Sequence, residues 1–100
     1  MTTMLDAVIL FPRDADPQLL DQGIPRIVQL MKQASGLRSL RVSEGELMAR
    51  GAAPPYSRVI AASFDSLADW MALVEVLNGE QGLASDRFDP LVMFYDARDA

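Results

Sequence analysis

Few residues of this chain can do chemistry, and they are spread over predicted strands rather than gathered in one motif. Arg41 and Arg58 each fall inside a predicted strand, where a charge needs a partner or solvent. Each can hold a carboxylate or an oxyanion-like group; each can equally be an exposed residue or an ion pair at a subunit interface. Tyr56, Tyr95 and Phe11 begin or end strands. They can line a ligand cavity, with phenol hydroxyls as donors, or serve as core and rim packing. A buried Tyr95 hydroxyl would need a partner. Asp6 is the lone polar residue of an apolar run and so a candidate general base; a strand-end position facing solvent or a cross-strand arginine is the plainer reading. Ser63 has only Lys32, on another element, as an amine base, so a serine nucleophile is not expected. Trp70 and Met71 lie on an apolar helical stripe, as cavity wall or as core. No residue can be given a catalytic role on these grounds.

What is missing narrows the chemistry further. The 100 residues include neither cysteine nor histidine. Disulfides, thiolate nucleophiles and thiolate metal sites are excluded, and the usual neutral-pH acid–base group is absent. A carboxylate-only metal site is left open, but no DxDxDG-type loop or paired-carboxylate motif occurs; the expectation is a protein with no metal and no organic cofactor. Fourteen acidic residues against nine basic ones give a net charge of −5. The basic residues, all arginine except Lys32, form no stripe, which argues against nucleic acid and against an anionic membrane surface. The N-terminus lacks a basic region and meets Asp6 early, unlike a signal peptide. No apolar run approaches the ~20 residues needed to span a bilayer. A cytoplasmic protein is the expectation.

The elements that must position these residues follow from pattern. A chain of 100 residues predicts one domain over 1–100. "MLDAVILF" (4–11) reads as a strand buried on both faces and stopped by Pro12. Asp16-Pro17 is an N-cap followed by proline at the first helical position. Leu20, Ile24, Ile27, Met31 and Ala34 then mark one helical face, with Gly36 placed as the C-cap glycine. "LRSLRVSE" (37–44) reads as a strand, 45–55 as a loop or hairpin extension, and "YSRVIAASF" (56–64) as a third strand. Ser66 and Asp69 form a capping-box signal, and Leu67, Trp70, Met71, Val74 and Leu77 make the stripe of a second helix ended by Asn78-Gly79. Residues 80–88 read as a polar connection and 89–96 as the last strand.

The order β-α-β-β-α-β predicts an α+β, ferredoxin-like fold: a four-stranded antiparallel sheet with both helices on one face. The other face is expected to carry apolar side chains such as Val59 and Ala61, or Val92 and Phe94, too apolar to leave in water. Half the chain is hydrophobic. A homodimer packed sheet against sheet is therefore expected on burial alone.

Three stretches, "AVILFPRDADP", "SGLRSLRVSE" and "PPYSRVIAASFDSLADWMALV", resemble EthD-type proteins of the dimeric α/β-barrel superfamily. In those, a strand ends in an aromatic-Pro pair before a D-P helix start, a P-G-L-x-x-Y-x-V second strand follows, and a P-P-Y strand leads to an F-D-S helix. The likeness runs over roughly residues 4 to 95. It implies two protomers joining their sheets in a barrel-like dimer, each with a small cavity between helices and sheet. The wider superfamily includes cofactor-free monooxygenases, isomerases and dehydratases, so it does not fix a reaction.

The resemblance also bears on "DQGIPRIVQLM". The family commonly has a His-x-Pro motif in the first helix; this chain has Gly23-Ile24-Pro25, keeping the proline and losing the imidazole. Pro25 inside the helix implies a bend, either opening a cavity mouth or following the curve of the sheet. Two function classes remain. One is a cofactor-free binder or enzyme for a small, largely apolar molecule, its cavity lined by Phe11, Ile24, Trp70 and Tyr95. The other is a non-catalytic dimerisation or stress-associated module with its cavity filled by its own side chains.

Overall fold

The computed structural model describes residues 4–79 and 89–99. Six elements follow in the expected order: β1 (Met4–Pro12), α1 (Pro17–Lys32), β2 (Leu37–Val42), β3 (Tyr56–Phe64), α2 (Leu67–Gly79) and β4 (Leu91–Ala97). The strands form one sheet in the order β2-β3-β1-β4, and every neighbouring pair is antiparallel. This is the ferredoxin-like βαββαβ arrangement. The connection over 80–88 lies outside the described residues.

Local chemistry sets the helix ends. Asp16 accepts a hydrogen bond from the Gln18 N–H at 2.9 Å, satisfying one of the free donors of α1, and Pro17 needs none. The helix runs unbroken through Pro25, whose missing N–H falls on the solvent side, while Gly23 and Ile24 are buried. It ends at Lys32, capped by Gln33, earlier than the apolar period suggests. Ala34 is thus outside the helix, and Gly36 (φ 77°) serves the turn into β2 rather than the helix cap. At α2, the Ser66 hydroxyl accepts from the Asp69 N–H at 3.2 Å and donates to the Asp69 carboxylate at 2.9 Å.

Directly paired residues on neighbouring strands share a face. Leu5, Ala7, Ile9 and Phe11 of β1 face the helices together with their β3 partners Phe64, Ala62 and Ile60. They pack against Leu20, Ile24, Ile27 and Met31 of α1 and Trp70 and Leu73 of α2. Burial of each large apolar side chain contributes roughly 1.5–3 kcal/mol. The buried face of α2 is thus Trp70–Leu73, whereas Leu67 and Met71, expected on the stripe, are about half exposed. This helix is apolar nearly all round, so its period does not single out one face.

The opposite face needs one correction. Val59 and Ala61 do lie there, opposite Leu10 and Val8. Val92 and Phe94 do not: they pair with the inward Ile9 and Ala7 and so point to the helix side. Leu91, Met93 and Tyr95 occupy the open face instead, 38%, 46% and 55% exposed. A strand that is apolar at every position from 91 to 95 carries no alternation to reveal its parity.

Residues 43–55 make a long excursion between β2 and β3. Its return is held by Arg13, just after β1. The Arg13 Nε donates to the Pro54 carbonyl at 2.7 Å, Nη2 to the Leu47 carbonyl at 3.3 Å, and Nη1 meets Glu46 at 3.2 Å. The Arg13 N–H also donates to the Pro55 carbonyl at 2.9 Å.

Candidate functional site

Among the described residues the helices pack chiefly on β1, β2 and β3, with Trp70 of α2 reaching toward Phe94 of β4, and the space beside Trp70 is a cavity of about 330 Å³. Its walls are Ile9 and Phe11 of β1, Ile27 of α1, Trp70, Met71, Val74 and Leu77 of α2, and Pro90, Val92 and Phe94 at β4. Trp70 anchors the wall, its ring 5.6 Å from Phe64 and 6.3 Å from Phe94 in tilted arrangements favoured by aromatic quadrupoles. Asn78, at the end of α2, brings a side-chain amide to the lining. No acidic or basic side chain belongs to this lining among the described residues. The Trp70 Nε1 is buried without a hydrogen-bond partner there, an exception to the rule for buried donors. At about 330 Å³, the space is near the lower end of sizes typical for small-molecule pockets.

The sequence-derived candidates divide between places. Phe11 and Trp70 meet at this cavity. Gly23 and Ile24 are buried in the core under α1 but line no part of it; the α1 residue that does is Ile27, one turn on. Tyr95, expected beside Phe11, is on the other side of the sheet, and its exposure leaves its hydroxyl to solvent. Tyr56 starts β3 opposite Pro12, half-buried. Arg58 lies opposite Phe11 on the helix side, where its Nη2 stands 3.6 Å from Asp21 of α1.

Arg41 belongs to a second hollow of about 190 Å³ on the open sheet face, with Ser39, Asp6, Ser63 and Tyr95. There Ser63 donates its hydroxyl to Asp6 at 2.6 Å across the β1–β3 pair. Asp6 and Ser63 thus form a cross-strand hydrogen bond. Val74, Leu77 and Asn78 of the cavity wall were visible in the sequence only as helix stripe and helix stop. Pro90, Val92 and Phe94 carried no signal, since strand parity decides their side.

This fold recurs in solved structures. An EthD-family protein from Bacillus halodurans superposes with a TM-score of 0.72 at 14% identity, over 95% of this chain and 99% of its own. The fold is that of EthD-like proteins. The same EthD-like fold is found in a dimeric ferredoxin-like protein of unknown function from Thermobifida fusca, with a TM-score of 0.65 at 13% identity over 97% of this chain and 93% of that one. SnoaB, a cofactor-independent oxygenase from Streptomyces nogalater, has it too, with a TM-score of 0.63 at 11% identity over 100% and 97%. No protein-family model and no curated protein matches the sequence. At such identities the EthD-like likeness concerns architecture and carries no residue roles.

Proposed function

We propose that this chain is a homodimeric binder of a small, uncharged, largely apolar molecule, held in the cavity between α2 and strands β1 and β4 without a metal or organic cofactor. The observation that carries this reading is the cavity itself: about 330 Å³ whose described lining is apolar and aromatic apart from one amide, Asn78. A charged ligand would meet no counter-charge in the described lining, and transferring it from water would go uncompensated. Proton-transfer turnover has no carboxylate, ammonium or imidazole in that lining to carry it, so binding is the core of the proposal. The alternative, a purely structural module with a filled cavity, is disfavoured by the empty space beside Trp70.

The dimer is supported by the open sheet face, where Leu91, Met93 and Tyr95 stand uncovered. The Thermobifida fusca protein of this fold is described as dimeric.

Trp70 is the only tryptophan of the chain, so its emission reports on this cavity alone. Titration with tetralin is expected to change that emission saturably, and the carboxylate analogue of tetralin to leave it unchanged. Val74→Phe, which fills the space, is expected to abolish the response while the melting transition stays in place. The absence of a saturable response to tetralin overturns the reading.

A further inference from the structure

The strands of the open sheet face carry one acid and one base among apolar or small polar residues, and Arg98 and Asp99, just past β4, share a further hollow with Asp6 and Ser63. Among the strand residues of this face, Asp6 of β1 is the only carboxylate and Arg41 of β2 the only cation. The two share one hollow yet do not pair with each other. Asp6 accepts only the Ser63 hydroxyl, and Arg41 has no hydrogen bond or ion pair among the described residues. A guanidinium on a face that is to leave water needs a carboxylate, and a carboxylate there needs more than one hydroxyl.

A two-fold axis supplies both at once. In an isologous interface, whatever residue i of one protomer meets at j of its partner, j meets at i. A face bearing one acid and one base is therefore complementary to itself. Resting on the dimer reading above, we propose that Arg41 of each protomer pairs with the partner's Asp6, making two symmetry-related ion pairs that fix the register of the sheet-to-sheet dimer. The surrounding apolar side chains of Val8, Leu10 and Met93 adhere in many registers; oppositely charged points admit one. Ser63 holds the Asp6 carboxylate in place and leaves its second oxygen for the incoming guanidinium.

The symmetry gives a test that separates pairing between protomers from pairing within one. Asp6→Arg and Arg41→Asp each place like charges opposite one another twice, and each is expected to weaken the dimer by at least about tenfold in sedimentation velocity. The double variant D6R/R41D is expected to return to within about threefold of wild type. Mixing the two single variants is the decisive arm. One carries two positive charges on the face and the other two negative, so every contact in their heterodimer joins opposite signs. The mixture is expected to dimerise like wild type, whereas a pair within one chain gains nothing from mixing. Circular dichroism checks that each variant is folded. If a reversal fails to fold, D6N and R41Q carry the test: each weakens the dimer, and the double is no weaker than either single. Single variants that dimerise like wild type, or a mixture that stays monomeric, overturn the ion pairs while a dimeric wild type keeps the dimer reading standing. A wild type that is monomeric at micromolar concentration removes both.

Discussion

At Gly36 one added carbon would meet another side chain, unlike at Gly45, Gly51 and Gly79. The Gly36 φ of 77° is unfavourable to side chains, and a Cβ there would stand 2.2 Å from the Asp69 Oδ2 and 2.5 Å from its Cγ. To make room, the Asp69 carboxylate would have to leave the Ser66 hydroxyl that it accepts from at the start of α2. The turn into β2 and the first turn of α2 are thus coupled through a single contact. Gly36→Ala is expected to lose about 1–2 kcal/mol from the backbone alone and up to about 1 kcal/mol more from the displaced cap, read by urea denaturation. On an Asp69→Ala background the same change should cost less than the two single losses added together. Simple additivity would show that Asp69 moves aside freely and that the coupling is absent.

At the scale of elements, Arg13 governs the 43–55 excursion. Its planar fork reaches the Pro54 and Leu47 carbonyls and the Glu46 carboxylate together, which an ammonium group cannot reproduce. Arg13→Ala and Arg13→Lys are both expected to speed trypsin cleavage after Arg50 several-fold, with the sheet core intact by circular dichroism. Unchanged cleavage would show that the excursion holds itself. None of this was legible in the sequence, because the partners of Arg13 are mostly backbone carbonyls some forty residues away. What could be read were features whose physics is local: the Asp16-Pro17 start of α1, the Ser66–Asp69 box of α2, and the strand runs themselves. Where a segment is apolar at most positions, as in α2 and β4, the sequence names the element but not the side it buries. That one gap moved Val92 and Phe94 into the cavity wall and Tyr95 out of it. Phe11 and Trp70 escaped the ambiguity: one ends a strand just before a proline, and the other is a large ring on a helix that must lie on the sheet.

For the whole molecule, the order of elements was enough to identify the fold, since few topologies accommodate βαββαβ with short connections. The expected assembly is a dimer of twice 11.0 kDa, measurable by light scattering after gel filtration. The even balance of Asp6 and Arg41 on the open face has a consequence for how that assembly responds to ionic strength. Asp6 and Arg41 cancel one another, so the net charge of −5 is carried by the remaining charged residues. Two protomers therefore approach as like-charged bodies whose repulsion acts at a distance, while Asp6 and Arg41 add no net charge to the seam. Salt screens such long-range repulsion, with a Debye length of about 10 Å at 0.1 M, far more than it weakens a pair taken out of water. Association is accordingly expected to tighten as sodium chloride rises from about 10 mM to about 150 mM. The opposite trend would mark an interface held by exposed charges. In the proposed dimer, excess acidity is thus expected to act as a brake on self-association that the surrounding electrolyte releases.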